Sequence, residues 1–191
     1  MRKSRQETAE TRQRIVEAAS VELCQNGIDG TGLAGLMAAA GLTHGGFYRH
    51  FESKDQVVAQ ACDVAVEALL TELKAVGEEG GFDALVSHYL STAHRDALDK
   101  SCPFAALGCE LARSSEPVRD VATQGLERVI DLLAVQSGSG QGDAARAGGI
   151  VAICTMMGAL TLSRLVSHPA FSDEILTTAC GHLTGADRVP V

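Results

Sequence analysis

Tryptophan is absent from this 191-residue chain, and only two tyrosines and five phenylalanines are present. Its core must therefore be aliphatic. No uninterrupted run of eighteen apolar residues occurs, which predicts no membrane span. The N-terminus, MRKSRQE, is charged where a signal peptide would be apolar, which predicts a cytoplasmic protein. The six cysteines, Cys24, Cys62, Cys102, Cys109, Cys154 and Cys180, stand far apart with no Cys-x-x-Cys pair. That spacing gives no zinc ribbon or finger, and a reducing compartment would keep them as free thiols. No metal and no cofactor is expected. Also missing are the nucleophile elbow G-x-S-x-G, the phosphate loop, H-E-x-x-H and the dinucleotide fingerprint. His88 and His94 are six residues apart, the wrong spacing for two ligands on one helical face. Glu78 and Glu79 read as a solvated turn. An enzyme is not expected.

What is present is 46% hydrophobic residues, mostly Ala, Leu and Val, in a chain long enough for a real core. Net charge is −8, which taken alone argues against nucleic acid. Its distribution reverses that. Residues 1–56 hold seven Lys/Arg against seven Asp/Glu, and residues 57–191 hold nine against seventeen. The excess negative charge lies entirely in the later part, so the chain divides into two functional halves, and only the first can approach phosphate.

Within the first half, LAGLMAAAGLTHGGFYRHF spans residues 33–51. Leu33, Leu36 and Met37 mark one face of a short helix that runs on through Ala40. Gly41 can take the left-handed conformation just past a helix end. Thr43 is an N-cap type, and a second short segment carries Phe47, Tyr48, Arg49, His50 and Phe51. Helix, glycine turn, helix is the pattern whose second helix enters the DNA major groove. Gly41-Leu42-Thr43, then Gly46-Phe47-Tyr48-Arg49-His50-Phe51, then Ser53-Lys54 closely resembles the signature of the tetracycline-repressor (TetR) family of transcriptional regulators. The match lies in the first third of the chain. Gly32 and Gly35 depart from it, replacing residues that favour helix at a cost of about 1 kcal/mol each.

Taken in order, residues 1–7 form a basic arm with Arg2, Lys3 and Arg5, read either as a frayed terminus or as an arm touching DNA. A helix follows from Thr8 to Asn26 with Ile15, Ala18, Ala19 and Leu23 on one face, and Gly27 ends it. Thr31 can cap the next helix and stand beside a phosphate. Ser53 caps a long helix to about Val76, with Val57, Ala61, Val64 and Ala68 along its stripe. Residues 77–81 read as a glycine-acid break. Further helices are expected over 82–98, after Pro103, over 118–135, over 144–166 and over 173–183. Pro169 ends the fourth of these, and residues 137–142 make a flexible loop.

The resemblance implies an all-α homodimer of about nine helices, with a three-helix DNA-binding head (residues 1–53) and a ligand-binding and dimerisation body (54–191). It implies a repressor on a palindromic double-stranded DNA operator, released by a small apolar effector. Base contacts fall to Thr43, His44 and Gly45, with Gly45 and Gly46 letting the backbone come close to DNA; phosphate contacts fall to Thr31, Tyr48, His50 and Lys54. The effector candidates are polar or reactive groups among apolar ones: His94, Cys102, Phe104, Cys109, Met156 and Met157. Cys102, before Pro103, would have its thiolate favoured by the helix dipole, with Cys109 two turns on along the same face. The blander reading makes both small core residues. The expected dimer seam, on the two apolar C-terminal helices, is Gly149, Ala152, Met156, Ala159, Ile175, Ala179 and Leu183. Two alternatives stay open: a repressor that senses electrophiles or oxidants through Cys102, and a helical adaptor dimer that binds no DNA.

Overall fold

A computed structural model of the chain describes residues 5–138 and 142–186. Within them the secondary structure is entirely helical. The head comprises α1 (Arg5–Asn26), α2 (Leu33–Ala39) and a short 3-10 helix (His44–Arg49). The body comprises α3 (Lys54–Tyr89), α4 (Thr92–Asp96), a 3-10 turn (Leu98–Lys100), α5 (Pro103–Leu111), α6 (Glu116–Gln136), α7 (Asp143–Leu165) and α8 (Pro169–Thr184).

The local signals work at the head. Leu36, Met37, Phe47 and Phe51 close onto Ile15, Val16, Ala19 and Leu23 of α1, all of them buried. Each of these side chains larger than Ala19 contributes roughly 1.5–3 kcal/mol. Ser53 caps α3 by accepting from the Gln56 amide at 3.2 Å, and the Gln56 side chain accepts from the Glu52 amide at 3.0 Å. α3 continues out of the head into the body, where it packs on α6; α6 packs on α7, and α7 on α8.

Several boundaries differ from expectation. Arg5 belongs to α1 and not to an arm; Arg2 and Lys3 lie outside the described residues, as do residues 139–141 of the loop. The break at 77–81 shrinks to one kink inside α3, at Gly81 (φ 72°, ψ −168°). Gly77 is buried against the Gln136 side chain, so contact with α6 holds helix across a stretch whose composition opposes it. The helix expected over 82–98 stops at Tyr89. Ser91 accepts from the His94 amide at 3.1 Å and starts α4 afresh. Pro169 does not merely end α7; it is the first turn of α8, which therefore starts before Asp173. Thr31 does not cap α2, a place held by Gly32 without a side-chain bond.

α7 is long and apolar enough to cross a membrane by length and composition, although no uninterrupted apolar run marks it. Here it lies against α6 and α8. At Gly149 the two backbones meet: a Cβ added there would stand 2.5 Å from the Ile130 carbonyl oxygen.

Candidate nucleic-acid interface and effector site

The turn between α2 and the 3-10 helix is closed by two bonds. Gly41 (φ 70°) donates to the Ala38 carbonyl at 2.9 Å, and Leu42 donates to the Met37 carbonyl at 2.8 Å. This is the left-handed helix stop anticipated from the glycine. Thr43 is extended at the N-cap position, and its carbonyl accepts from Gly46 at 3.1 Å. The second helix is 3-10 rather than α. Two adjacent glycines and a length of six residues give it little intrinsic α-preference. It is held from beneath instead. Phe47 is fully buried, its ring 5.2 Å from Tyr48 and 5.5 Å from Phe51, and the Arg12 guanidinium sits 4.1 Å above the Phe51 ring. Thr43, His44, Gly45, Tyr48 and Arg49 are left exposed on one short projection, with Tyr48 at 70%. Gly46 and His50 are half-buried. Arg49, which sequence reasoning passed over as a contact, is an exposed cation on that projection. Its position next to Tyr48 was the available signal.

Two expected phosphate contacts are occupied within the chain. Thr31 is buried and its hydroxyl donates to the Gly27 carbonyl at 2.8 Å, so it cannot stand beside a phosphate without leaving that bond. The half-buried Lys54 donates from Nζ to the Ile28 carbonyl at 2.5 Å, tying α3 to the loop after α1. The same loop is held from the body side, where Glu110 of α5 accepts from the Asp29 amide at 2.8 Å.

The effector candidates do not gather in one cavity. Cys102, Phe104 and Met156 are buried core residues, while Cys109 is exposed. Cys102 and Cys109 therefore do not share a face. Cys102 is the N-cap, with φ −54° and ψ 121°, outside the helical periodicity that the seven-residue count assumes. Nor is its thiolate favoured. Burial pushes the Cys102 thiol up, although the nearby Tyr89 hydroxyl and Phe104 and Ala105 amides oppose the rise; Cys24 and Cys62 are pushed by burial to about 12 and about 11. His94 is half-buried, stacks edge-on to Tyr89 at 4.6 Å and bonds through Nδ1 to the Tyr89 carbonyl at 2.7 Å. Met157 is half-buried against the core. A body cavity of about 480 Å³ instead opens between α4, α7 and the start of α8, lined by Arg95, Arg164, Ser163 and Ser172 among others. A smaller one, of about 330 Å³, lies where α1 meets the 3-10 turn of the body, with Cys24 and Ser101 in its wall.

The expected seam residues also divide. Gly149, Ala152 and Met156 turn inward onto the protomer's own core, and Ala159 is nearly covered there. Gly149 serves contact with α6 and not an open face, whereas Gly158 lies open on the outward side. The outward face of α7 carries Val151, Cys154, Leu162 and Leu165, and beside it α8 presents Phe171, with Ile175 and Ala179 half-buried in the groove between the two helices. Leu183 packs on the core's edge.

A helix-turn-helix head carried by a kinked long helix on a helical-bundle body defines the structural class. Residues 15–61 match the model of bacterial regulatory proteins of the tetR family, and residues 82–179 match the tetracyclin repressor-like C-terminal domain. The chain belongs to the tetR family. It is 30% identical over 131 residues to the HTH-type transcriptional repressor NemR of Escherichia coli K12, a stretch covering 65% of each protein, so the match spans just under two thirds of that relative's length. It is 36% identical over 73 residues to the HTH-type transcriptional regulator AcrR of Shigella flexneri, covering 38% of this chain and 34% of that one. Among solved structures, reduced E. coli NemR superposes with a TM-score of 0.76 at 21% identity, over 92% of this chain and 96% of that one. A TetR regulator from Chloroflexus aurantiacus gives 0.74 at 26%, over 94% and 96%.

Proposed function

We propose that the protein is a dimeric DNA-binding transcriptional regulator, a repressor that sits on a palindromic operator as a homodimer and is released by a small molecule. The observation that carries this reading is the exposed projection Thr43–Arg49, braced by Phe47 and Phe51 and carrying His44, Tyr48 and Arg49 toward whatever the head meets. His44, at the start of the 3-10 helix, is the base reader; Tyr48, Arg49 and His50 take phosphates; Gly45 and Gly46 let the backbone come close. Lys54 acts mainly by fixing the head and contributes its remaining N–H groups to the backbone. Head (1–53) and body (54–191) divide the work, and a cytoplasmic site of action follows from the DNA partner. The second copy covers the outward face of α7 and α8.

The Cys102 sensing alternative loses ground to burial, since a thiol at zero exposure with a raised pKa is neither accessible nor nucleophilic. A mobility shift with the protein's own promoter fragment, repeated at rising salt and against scrambled DNA, tests the main reading. Sequence preference that survives salt is the expected result. Equal binding to scrambled DNA, or none at all, returns the adaptor dimer.

A further inference from the structure

Arg164 is a half-buried cation of the body whose bonding partners are all neutral. Its Nε donates to the Arg95 carbonyl at 2.9 Å, Nη1 to Ser101 Oγ at 2.6 Å and Nη2 to the His94 carbonyl at 2.9 Å. Those bonds use three of five N–H groups. Among the described residues no carboxylate lies within 4 Å of it. Arg95, whose own carbonyl Arg164 holds, is the opposite case. It holds Asp96 through two bonds of 2.8 and 3.1 Å and Asp173 through one of 2.7 Å, and donates to Ser172 at 2.9 Å. Two carboxylates crowd one arginine while the half-buried one beside it has none. Burial accordingly depresses the Arg164 pKa, and Asp96 opposes that only from a distance. A partly desolvated cation bonded to neutral acceptors alone is unfavourable unless an anion joins it.

The cavity of about 480 Å³ is where such an anion could stand. Arg164 and Ser167 are in its wall, with Leu98, Val166 and Pro169 as an apolar side. We infer that this cavity binds a small organic carboxylate, its charged end paired with the free N–H edge of Arg164 and its short apolar body against Leu98, Val166 and Pro169. A guanidinium presents N–H groups in a fork that a planar carboxylate matches with two parallel bonds. Asp96, also in the wall, is tied to Arg95, which confines the anion to the Arg164 end and disfavours a second negative group.

This deepens the proposed effector reading and rests on it for its consequence at the head. Arg164 also holds Ser101 and the carbonyls of residues 94 and 95, and the turn over 98–100 packs on α1. Ser101 lies in the wall of the smaller cavity that α1 shares with the body. An anion that reorients Arg164 therefore changes the support under the head.

The test uses the full-length protein without DNA, titrated calorimetrically with benzoate, hexanoate and inorganic phosphate, and with benzamide and hexanamide as uncharged counterparts. A carboxylate should bind and its amide should bind at least about tenfold more weakly. Arg164→Lys, which keeps the charge and loses the fork, should weaken the carboxylate about tenfold. Asp96→Asn should leave binding intact or tighten it. Should the Arg164 variant not fold, the acid–amide comparison on the natural protein and Asp96→Asn still decide. Equal binding of acid and amide, binding unchanged in a folded Arg164→Lys, binding of phosphate alone, or no binding of any probe each overturns the inference. Operator affinity of the ligand-free protein is measured separately, so failure there sinks the regulatory reading and leaves the carboxylate result standing.

Discussion

His44 and His94 are the same residue type with opposite surroundings, and each gives a different kind of prediction. His44 is exposed at the tip of the projection, where its ring can donate to guanine or accept from an exocyclic amine according to tautomer. His44→Ala should cost roughly 1–3 kcal/mol at one base position while leaving the other positions ranked as before. Binding to a panel of single-base operator variants checks it, and an unchanged ranking removes His44 as a reader. His94 is partly buried, and burial pulls its pKa below the ordinary value, with the bond to the Tyr89 carbonyl opposing and Arg164 assisting. A depressed histidine keeps the folded state short of protons relative to the unfolded one. Stability is therefore full above the unfolded value near pH 6.5 and falls as pH drops below it. His94→Asn, which retains a donor for that carbonyl, should flatten the urea midpoint between pH 7 and 5. A variant with the same slope as the natural protein would show that another group sets it.

At the scale of elements, contact and not propensity decides where helices run. Gly149 allows α7 to lie on α6 with its Cα against the Ile130 carbonyl and the Ala134 amide. Gly149→Ala would raise helix propensity by about 1 kcal/mol. Yet the new methyl meets backbone at 2.5 Å, which must shift, at a cost of about 1–3 kcal/mol. A net fall in stability by thermal unfolding is expected; a rise would mean that the two helices separate easily. The same contrast explains what could be read in the chain. The helix-turn-helix was legible because its signals are local: Gly41 stops one helix, Ser53 caps another, and Phe47 and Phe51 anchor the span between. The continuity of α3 through Gly77 was not legible, because it depends on Gln136 some sixty residues away. The exposure of Cys109 was missed because a cap residue was counted as if inside its helix.

For the whole molecule, the proposed homodimer turns on which face of α7 would meet a second copy. The apolar C-terminal helices point to Gly149, Ala152 and Met156 for the seam, but these are already spent on the protomer's core. The opposite face shows Val151 at 57% exposure, Leu162 at 50% and Leu165 at 76%, with Phe171 of α8 at 50% beside them. Residues 151, 154, 158, 162 and 165 advance by three or four, one continuous stripe along the helix. Exposed apolar groups so aligned mark an interaction surface. The two faces predict opposite outcomes for the same change. Leu162→Glu should leave the protomer folded, because the side chain already touches water, and should abolish the dimer by placing charge in an apolar seam. Light scattering should then report monomers, and operator binding should fall with them. Cys154, exposed on the same stripe, becomes a reporter: alkylation should be slow in the natural dimer and fast in Leu162→Glu. Ala152→Glu, by contrast, puts charge where only 3% of the residue is exposed, and should unfold the protomer at a cost of several kcal/mol. If Leu162→Glu remains dimeric with full operator binding, or if Ala152→Glu gives well-folded monomers, the seam is not on the outward face of α7.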